Sequence, residues 1–310
     1  MMEATHLILD NNQHLADAPL RIRKPRTGMT TPAQNSIIDA MFRAPADSNY
    51  VISRWCFQQG LYRDFYWNAA QTIEKYLKAS LLSNGRSAVR PMPGARTYGH
   101  DLEALFATMK GYTDDLVPEE LVCPNAISHA EPPWRTEETA AFIARLNALG
   151  DPNNRYAVGG FNSDWTDLFK FDQVVFSLRR VSLELEGDAF IPGPDGRHEM
   201  TNRKLLRDHP QFMPKDGGLT KLFGKDASPE LRAAALDRNL AFAPKDHEHS
   251  SFRAGWSSSN PILYIRIIEP STFQQKSAEL ADLADWVVEN IYLPPDARQQ
   301  INEAGARLRP

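Results

Sequence analysis

Cysteine is scarce: Cys56 and Cys123 are the only two in 310 residues, and they lack CxxC spacing. That excludes a disulfide framework and a cysteine-based structural zinc site, and a reducing, cytoplasmic setting is the expectation. Long apolar runs are missing too. No stretch approaches the roughly 20 apolar residues of a spanning helix, and the N-terminus carries Glu3 and Asp10 around a short apolar run instead of a basic segment and a long greasy one. Neither a secretory signal nor membrane association is expected. An excess of one charge is also absent, since 35 Lys and Arg face 39 Asp and Glu for a net −4. A uniformly basic nucleic-acid binder is therefore excluded, and any such role must be local. Gly159-Gly160 sits in no GxxxxGK[ST] or GxGxxG context, and Ser257-Ser258-Ser259 has no Gly-x-Ser-x-Gly elbow, so phosphate-loop and serine-hydrolase readings have no support.

What is present is enough apolar residue, 42%, to fill a sizeable core. The 22 prolines are unevenly spread and leave three long free windows, 46–90, 153–191 and 271–293, each with helical apolar spacing. The first holds a helix from about Asn49 to Gly60. A second follows, with Tyr62, Phe65, Tyr66, Ala69, Ile73, Leu77 and Leu81 on one stripe, ending at Gly85. Asn68, Gln71, Lys75 and Lys78 face elsewhere, and Glu74 and Lys78 form a favourable i,i+4 pair.

His100 or Asp101 caps a shorter helix through Met109, Arg135–Leu149 reads as another, and Ser163 caps a long one ending at Gly187. Between Asp101 and Glu138 nine acidic residues outnumber two basic ones, a surface that repels phosphate. The expected organisation is an N-terminal arm over 1–45, a helical bundle over 46–190, and a loop-rich extension over 191–310. In that extension Pro229–Leu240 is a small helix, 262–268 a strand, because it is β-branched between Pro261 and Pro270, and 272–292 a helix. The fold class is thus mainly α: an antiparallel bundle with an irregular C-terminal region holding one or a few strands. Trp55, Trp67 and Trp165 are expected to anchor the core.

The run Phe65-Tyr66-Trp67-Asn68-Ala69-Ala70-Gln71-Thr72-Ile73-Glu74-Lys75-Tyr76-Leu77-Lys78-Ala79 resembles the second helix of a HEPN domain. Gly99-His100-Asp101-Leu102 resembles the start of that family's third helix, Arg155-Tyr156 the pair before its last helix, and 164–186 that helix. Order and spacing agree over about 140 residues, under half of the chain. The resemblance implies an antiparallel bundle that dimerises. It also implies either metal-independent ribonuclease chemistry by an R-x4-6-H pair or a non-catalytic domain that engages a nucleotide, RNA or a protein partner. A bacterial toxin–antitoxin or defence setting and a nucleotidyltransferase partner belong to the same implication.

The chain departs from the ribonuclease pattern. No histidine follows Arg155 until His198, so no imidazole stands where a general acid or base is needed. The expected function is therefore non-catalytic binding, with Lys75, Lys78, Arg155 and Tyr156 as ligand-binding residues and neither cofactor nor metal. The alternative is an endoribonuclease using Arg203 and His209, which satisfy R-x5-H but lie beyond the bundle. Two further clusters read as solvated surface: Asp246-His247-Glu248-His249, with no distant third metal ligand, and the basic run Arg21, Arg23, Lys24 and Arg26, with no interleaved aromatics.

Overall fold

A computed structural model describes residues 30–131, 133–152, 154, 159–193, 196–214, 219, 223, 227–250, 255–259, 263–269, 277–291 and 293–309. It is mainly α-helical with a few short strands. The basic run at 21–26 lies outside the described residues.

Helix α1 (Pro32–Ile38) opens on a capping box, in which the Thr31 hydroxyl accepts from the Gln34 amide and the Gln34 side chain accepts from the Thr31 amide. A π-helical turn (Asp39–Arg43) carries it straight into α2 (Ala44–Gln58). The expectation of an arm up to residue 45 is corrected here, since 32–45 is helical and α2 begins five residues before Asn49. Pro45 does not break the rod because it falls in the first turn after the π segment, where the i to i−4 ladder is already interrupted.

Gly60, at φ 74°, turns the chain into α3 (Tyr62–Ser83), and Gly85, at φ 69°, closes it. The stripe read from sequence is inward as expected at Phe65, Tyr66, Ala69, Ile73, Leu77 and Leu81, all buried, while Tyr62 at its start is half-buried. Helix α4 (Leu102–Thr113) is capped by Asp101, whose carboxylate accepts from the Ala104 amide at 3.0 Å. A two-residue bridge between β1 (Glu120–Leu121) and β2 (Glu137–Glu138) delays α5 (Thr139–Leu149) by four residues relative to the expected start at Arg135.

Ser163 is not a cap. It lies in β3 (Phe161–Asp164), and it is Asp164 that accepts from the Thr166 amide at the start of α6 (Thr166–Val181). Helix α6 ends at Val181, short of Gly187, and leads to an antiparallel hairpin of β4 (Asp188–Gly193) and β5 (Gly196–Thr201). Short helices α7 (Asn202–Asp208) and α8 (Pro229–Leu236) follow. Strand β6 (Trp256–Ser259) returns to pair antiparallel with β3.

The expected strand at 262–268 is a correction: Tyr264–Ile268 is a π-helical turn and 260–262 lies outside the described residues. Its spacing is that of a helix, because Leu263, Ile267 and Ile268 share one side against the terminal pair α9 (Ser277–Asn290) and α10 (Pro295–Leu308). The helix expected over 272–292 is α9, with residues 271–276 outside the described set.

Helix α3 is the central rod, packed by α2, α4, α5 and α6. The main core does not stop near residue 190, for Leu206, Leu219 and Ala234–Leu236 belong to it. A second, smaller core joins Ile267, Ala284, Val287, Leu293, Ile301 and Ala304. Of the three tryptophans expected in the core, Trp165 is buried, Trp67 is half-buried and Trp55 is exposed. No described helix is long and apolar enough to cross a membrane.

Candidate functional site

The deepest polar groups belong to a buried ionic ladder between α2 and α6. Asp47 and Arg54 are seven residues apart on α2, and Asp172 and Arg179 are seven apart on α6, so each pair shares one helix face. The helices run antiparallel, and the two spacings interlock: Arg54 pairs with Asp172 and Asp47 with Arg179. Tyr50 donates to Asp172 at 2.7 Å, and Tyr76 donates to Asp47. The remaining valences go to the C-terminal segment. Arg54 donates to the carbonyls of Ala234 and Asp237, Arg179 to that of Pro214, and the Leu219 amide donates to Asp47. Arg180 likewise donates to the carbonyls of Leu206, Phe212 and His209.

Burial, joined by the neighbouring Asp172, raises the Tyr50 phenol well above its ordinary pKa, and burial outweighs Arg54 to raise the Asp172 carboxyl. Groups this enclosed do not meet a ligand. Their work is to fasten the described residues at 206–214, 219 and 234–239 onto the bundle.

A second cluster sets α5. Arg145 grips Glu137 through two nitrogens at 3.1 and 3.0 Å and reaches Asp167 at 2.7 Å, while Lys170 donates to Glu137 at 2.9 Å and Tyr66 to Asp167 at 2.7 Å. Burial pushes the Glu137 carboxyl up, but the hydrogen bonds from Arg145 and Lys170 outweigh it and hold the pKa below the usual range. The end of α5 is thereby pressed onto α3. At Gly150 an added Cβ would stand 2.3 Å from the Ala70 Cβ, so only glycine permits the approach.

That approach forms a small cleft of about 70 Å³. Trp67, Gln71 and Glu74 line it from successive turns of α3, His100 from the loop before α4, and Asn147 and Asp151 from the end of α5. Glu74 is 6% exposed, and its two oxygens are divided: Oε1 accepts from Lys78 at 2.6 Å and Oε2 meets His100 Nδ1 at 2.9 Å. The imidazole beyond that contact stands in solvent, its side chain 75% exposed. Gly99, at φ 57°, makes the turn that presents it, and the Gly99 carbonyl accepts from Lys78 at 3.0 Å. Buried Tyr98 and the Leu102 amide, which donates to Asn147 Oδ1 at 3.1 Å, pin the loop on both sides. The Gln71 carboxamide has no hydrogen-bond partner among the described residues, which leaves both its donor and its acceptor to the cleft.

Lys78 lies behind the site and not on its wall, with its charge matched by Glu74. Lys75 is turned toward α2, where it donates to Asn49, and burial pushes its ammonium pKa down. The two lysines do not form one cationic face. Arg155 and Tyr156 lie outside the described residues. Arg203 is held by Glu186 at 2.6 Å, Asp114 at 3.0 Å and the Tyr112 carbonyl at 2.9 Å, and His209 is exposed just past the end of α7. An arginine so engaged has little left for a phosphate. In the His247–His249 segment the rings pack edge to face at 4.9 Å, and His249 Nδ1 accepts from the Arg238 amide. Among the described residues no group of three or more His, Cys, Asp and Glu is arranged to hold a metal ion.

Comparison with known proteins finds no match. No protein-family model fits the chain, and no curated protein or solved structure is similar to it. The site stands on its own geometry. Sequence reasoning grouped Gln71 with Lys75 and Lys78 as a polar face for an anionic ligand and missed its neighbours Trp67, Glu74 and His100, since Glu74 was accounted for by its i,i+4 partner and His100 by helix capping. The signal available was the i, i+4, i+7 spacing of Trp67, Gln71 and Glu74, which puts an indole, an amide and a carboxylate on one edge of a helix.

Proposed function

We propose that the chain is a non-catalytic, HEPN-type binding protein whose α3–α4–α5 cleft, too small to enclose a base, meets the edge of one lying across its mouth, in a free nucleotide or in single-stranded RNA. The observation that carries this reading is the unpartnered Gln71 carboxamide beside the Trp67 indole and the exposed His100 ring. Unstacked bases are gripped by aromatic faces and read at their edges by side chains that both donate and accept. The charge balance favours the base over the phosphate as the gripped group. Lys78 is matched by Glu74, and, among the described residues, the one further ionisable side chain on the cleft wall from the end of α5 is the acidic Asp151. Binding through the base is only weakly sensitive to salt, unlike binding through many phosphates.

The test is a titration with the four nucleoside monophosphates and a short single-stranded RNA at two salt concentrations. Saturable binding that changes little with salt supports the reading; binding that collapses with salt, or none, opposes it. Incubation with RNA in the absence of metal separates binding from cleavage. Intact RNA is expected, and cleavage lost in His209→Ala would instead establish the nuclease alternative.

A further inference from the structure

Helix α1 and the C-terminal end of α3 leave a groove of about 430 Å³ between them, at the small end of the ~300–1,000 Å³ typical of ligand sites. Its walls are aliphatic. Ile37 and Ile38, three and four residues after Gln34, share one face of α1, and Leu82 lines the groove from the last turn of α3. Ile37 is 56% exposed, so its alkyl group faces water. The one charge on the described lining is that of Arg86, which is exposed. The turn that ends α3 places it there: with Gly85 at φ 69°, the Gly85 amide donates to the Leu82 carbonyl at 3.1 Å and the Arg86 amide to the Leu81 carbonyl at 2.8 Å, a Schellman closure.

The Arg86 guanidinium lies over the Tyr112 ring, 4.5 Å from its centroid, and a 3.0 Å hydrogen bond between the Tyr112 hydroxyl and Ser80 fixes that ring. Stacking orients the guanidinium plane and leaves its N–H edges unused, and among the described residues no carboxylate or carbonyl accepts from them. Gln34 adds a second donor. Its side-chain oxygen accepts from Thr31 in the capping box, and its NH2 group has no acceptor among the described residues. An unmatched guanidinium calls for an anion, and a lone cation matches one negative charge better than the two of a phosphate monoester. Branched alkyl walls offer no π face on which a nucleobase could stack.

The geometry points to this groove as a binding site for an aliphatic monocarboxylate, its carboxylate on Arg86 and Gln34 and its chain along Ile37, Ile38 and Leu82. The groove lies about two turns along α3 from Glu74 and rests on neither the cleft nor the family resemblance, so either site can fail without the other. Isothermal titration calorimetry of the full chain with octanoate, decanoate and 1-octanol tests it. Saturable binding of both carboxylates is expected, with decanoate about tenfold tighter than octanoate because two more methylenes leave water. Arg86→Gln is expected to weaken both carboxylates at least about tenfold, as loss of a hydrogen bond to a charged group does, and to leave 1-octanol unchanged. Its helical circular dichroism should match that of the wild type, because Arg86 is exposed and lies outside α3. Ile37→Ser is expected to weaken carboxylates and alcohol alike, by about threefold or more. Gln71→Ala, in the cleft, should leave decanoate binding as it is. No saturable binding of decanoate, 1-octanol as tight as octanoate, or carboxylate affinity indifferent to Arg86→Gln would each overturn the assignment.

Discussion

Arg54 and Asp172 show how much one residue can carry. Removing one partner of a fully buried ion pair strands the other charge, at a cost of about 3–5 kcal/mol. Arg54→Met is expected to lose that much in urea unfolding, and adding Asp172→Leu to recover most of it, since two apolar groups leave no charge to strand. An equal or larger loss in the double variant would mean that the ladder is not what binds α2 to α6. Glu137 makes the matching statement about pH. Its pKa is lowered in the folded state, so its contribution is present above the unfolded value and is lost as pH falls through the folded one. Glu137→Gln is therefore expected to flatten the acid limb of the stability curve below about pH 4 and to change its shape little near neutrality, as a pH series of denaturation midpoints would show.

At the scale of elements, the approach of α5 to α3 builds the cleft, and Gly150 permits it. Gly150→Ala forces its Cβ into the Ala70 side chain. A loss of about 1–3 kcal/mol is expected in thermal or chemical unfolding, the usual cost of overpacking, together with weaker ligand binding. The helices were legible because Phe65, Ile73, Leu77 and their neighbours recur at the spacing of one buried stripe, and because Gly60, Gly85 and Asp101 carry the turn and cap chemistry that ends or starts a helix. The run Tyr264–Ile268 misled for a physical reason: β-branched content suggests a strand, but burial of Ile267 against α9 and α10 decides the conformation locally. The β3–β6 and β4–β5 pairings depend on tertiary contacts or on a polar hairpin without an alternating apolar pattern, so periodicity could not announce them. The ladder was visible only as D-x6-R in two helices, a spacing that acquires meaning once the helices are known to run antiparallel.

For the molecule as a whole, the bundle and residues up to Leu236 share one core, and the ionic ladder joins the two parts by side chain to backbone bonds. Among the described residues, the α3–α4–α5 cleft is a place where polar groups remain available to a ligand. The lysines and Arg203 singled out by sequence are largely committed to neighbouring carboxylates and carbonyls, and His209 stands apart on the surface past α7, whereas Gln71 is open to the cleft. The most direct measurement is a parallel titration of wild type, Gln71→Ala and Lys75→Ala with a fluorescent single-stranded RNA. The cleft reading expects Gln71→Ala to weaken binding about tenfold, the worth of one lost hydrogen-bonded contact at ~1.4 kcal/mol, with Lys75→Ala unchanged. Equal affinity of wild type and Gln71→Ala, or no binding by any of the three, would contradict it.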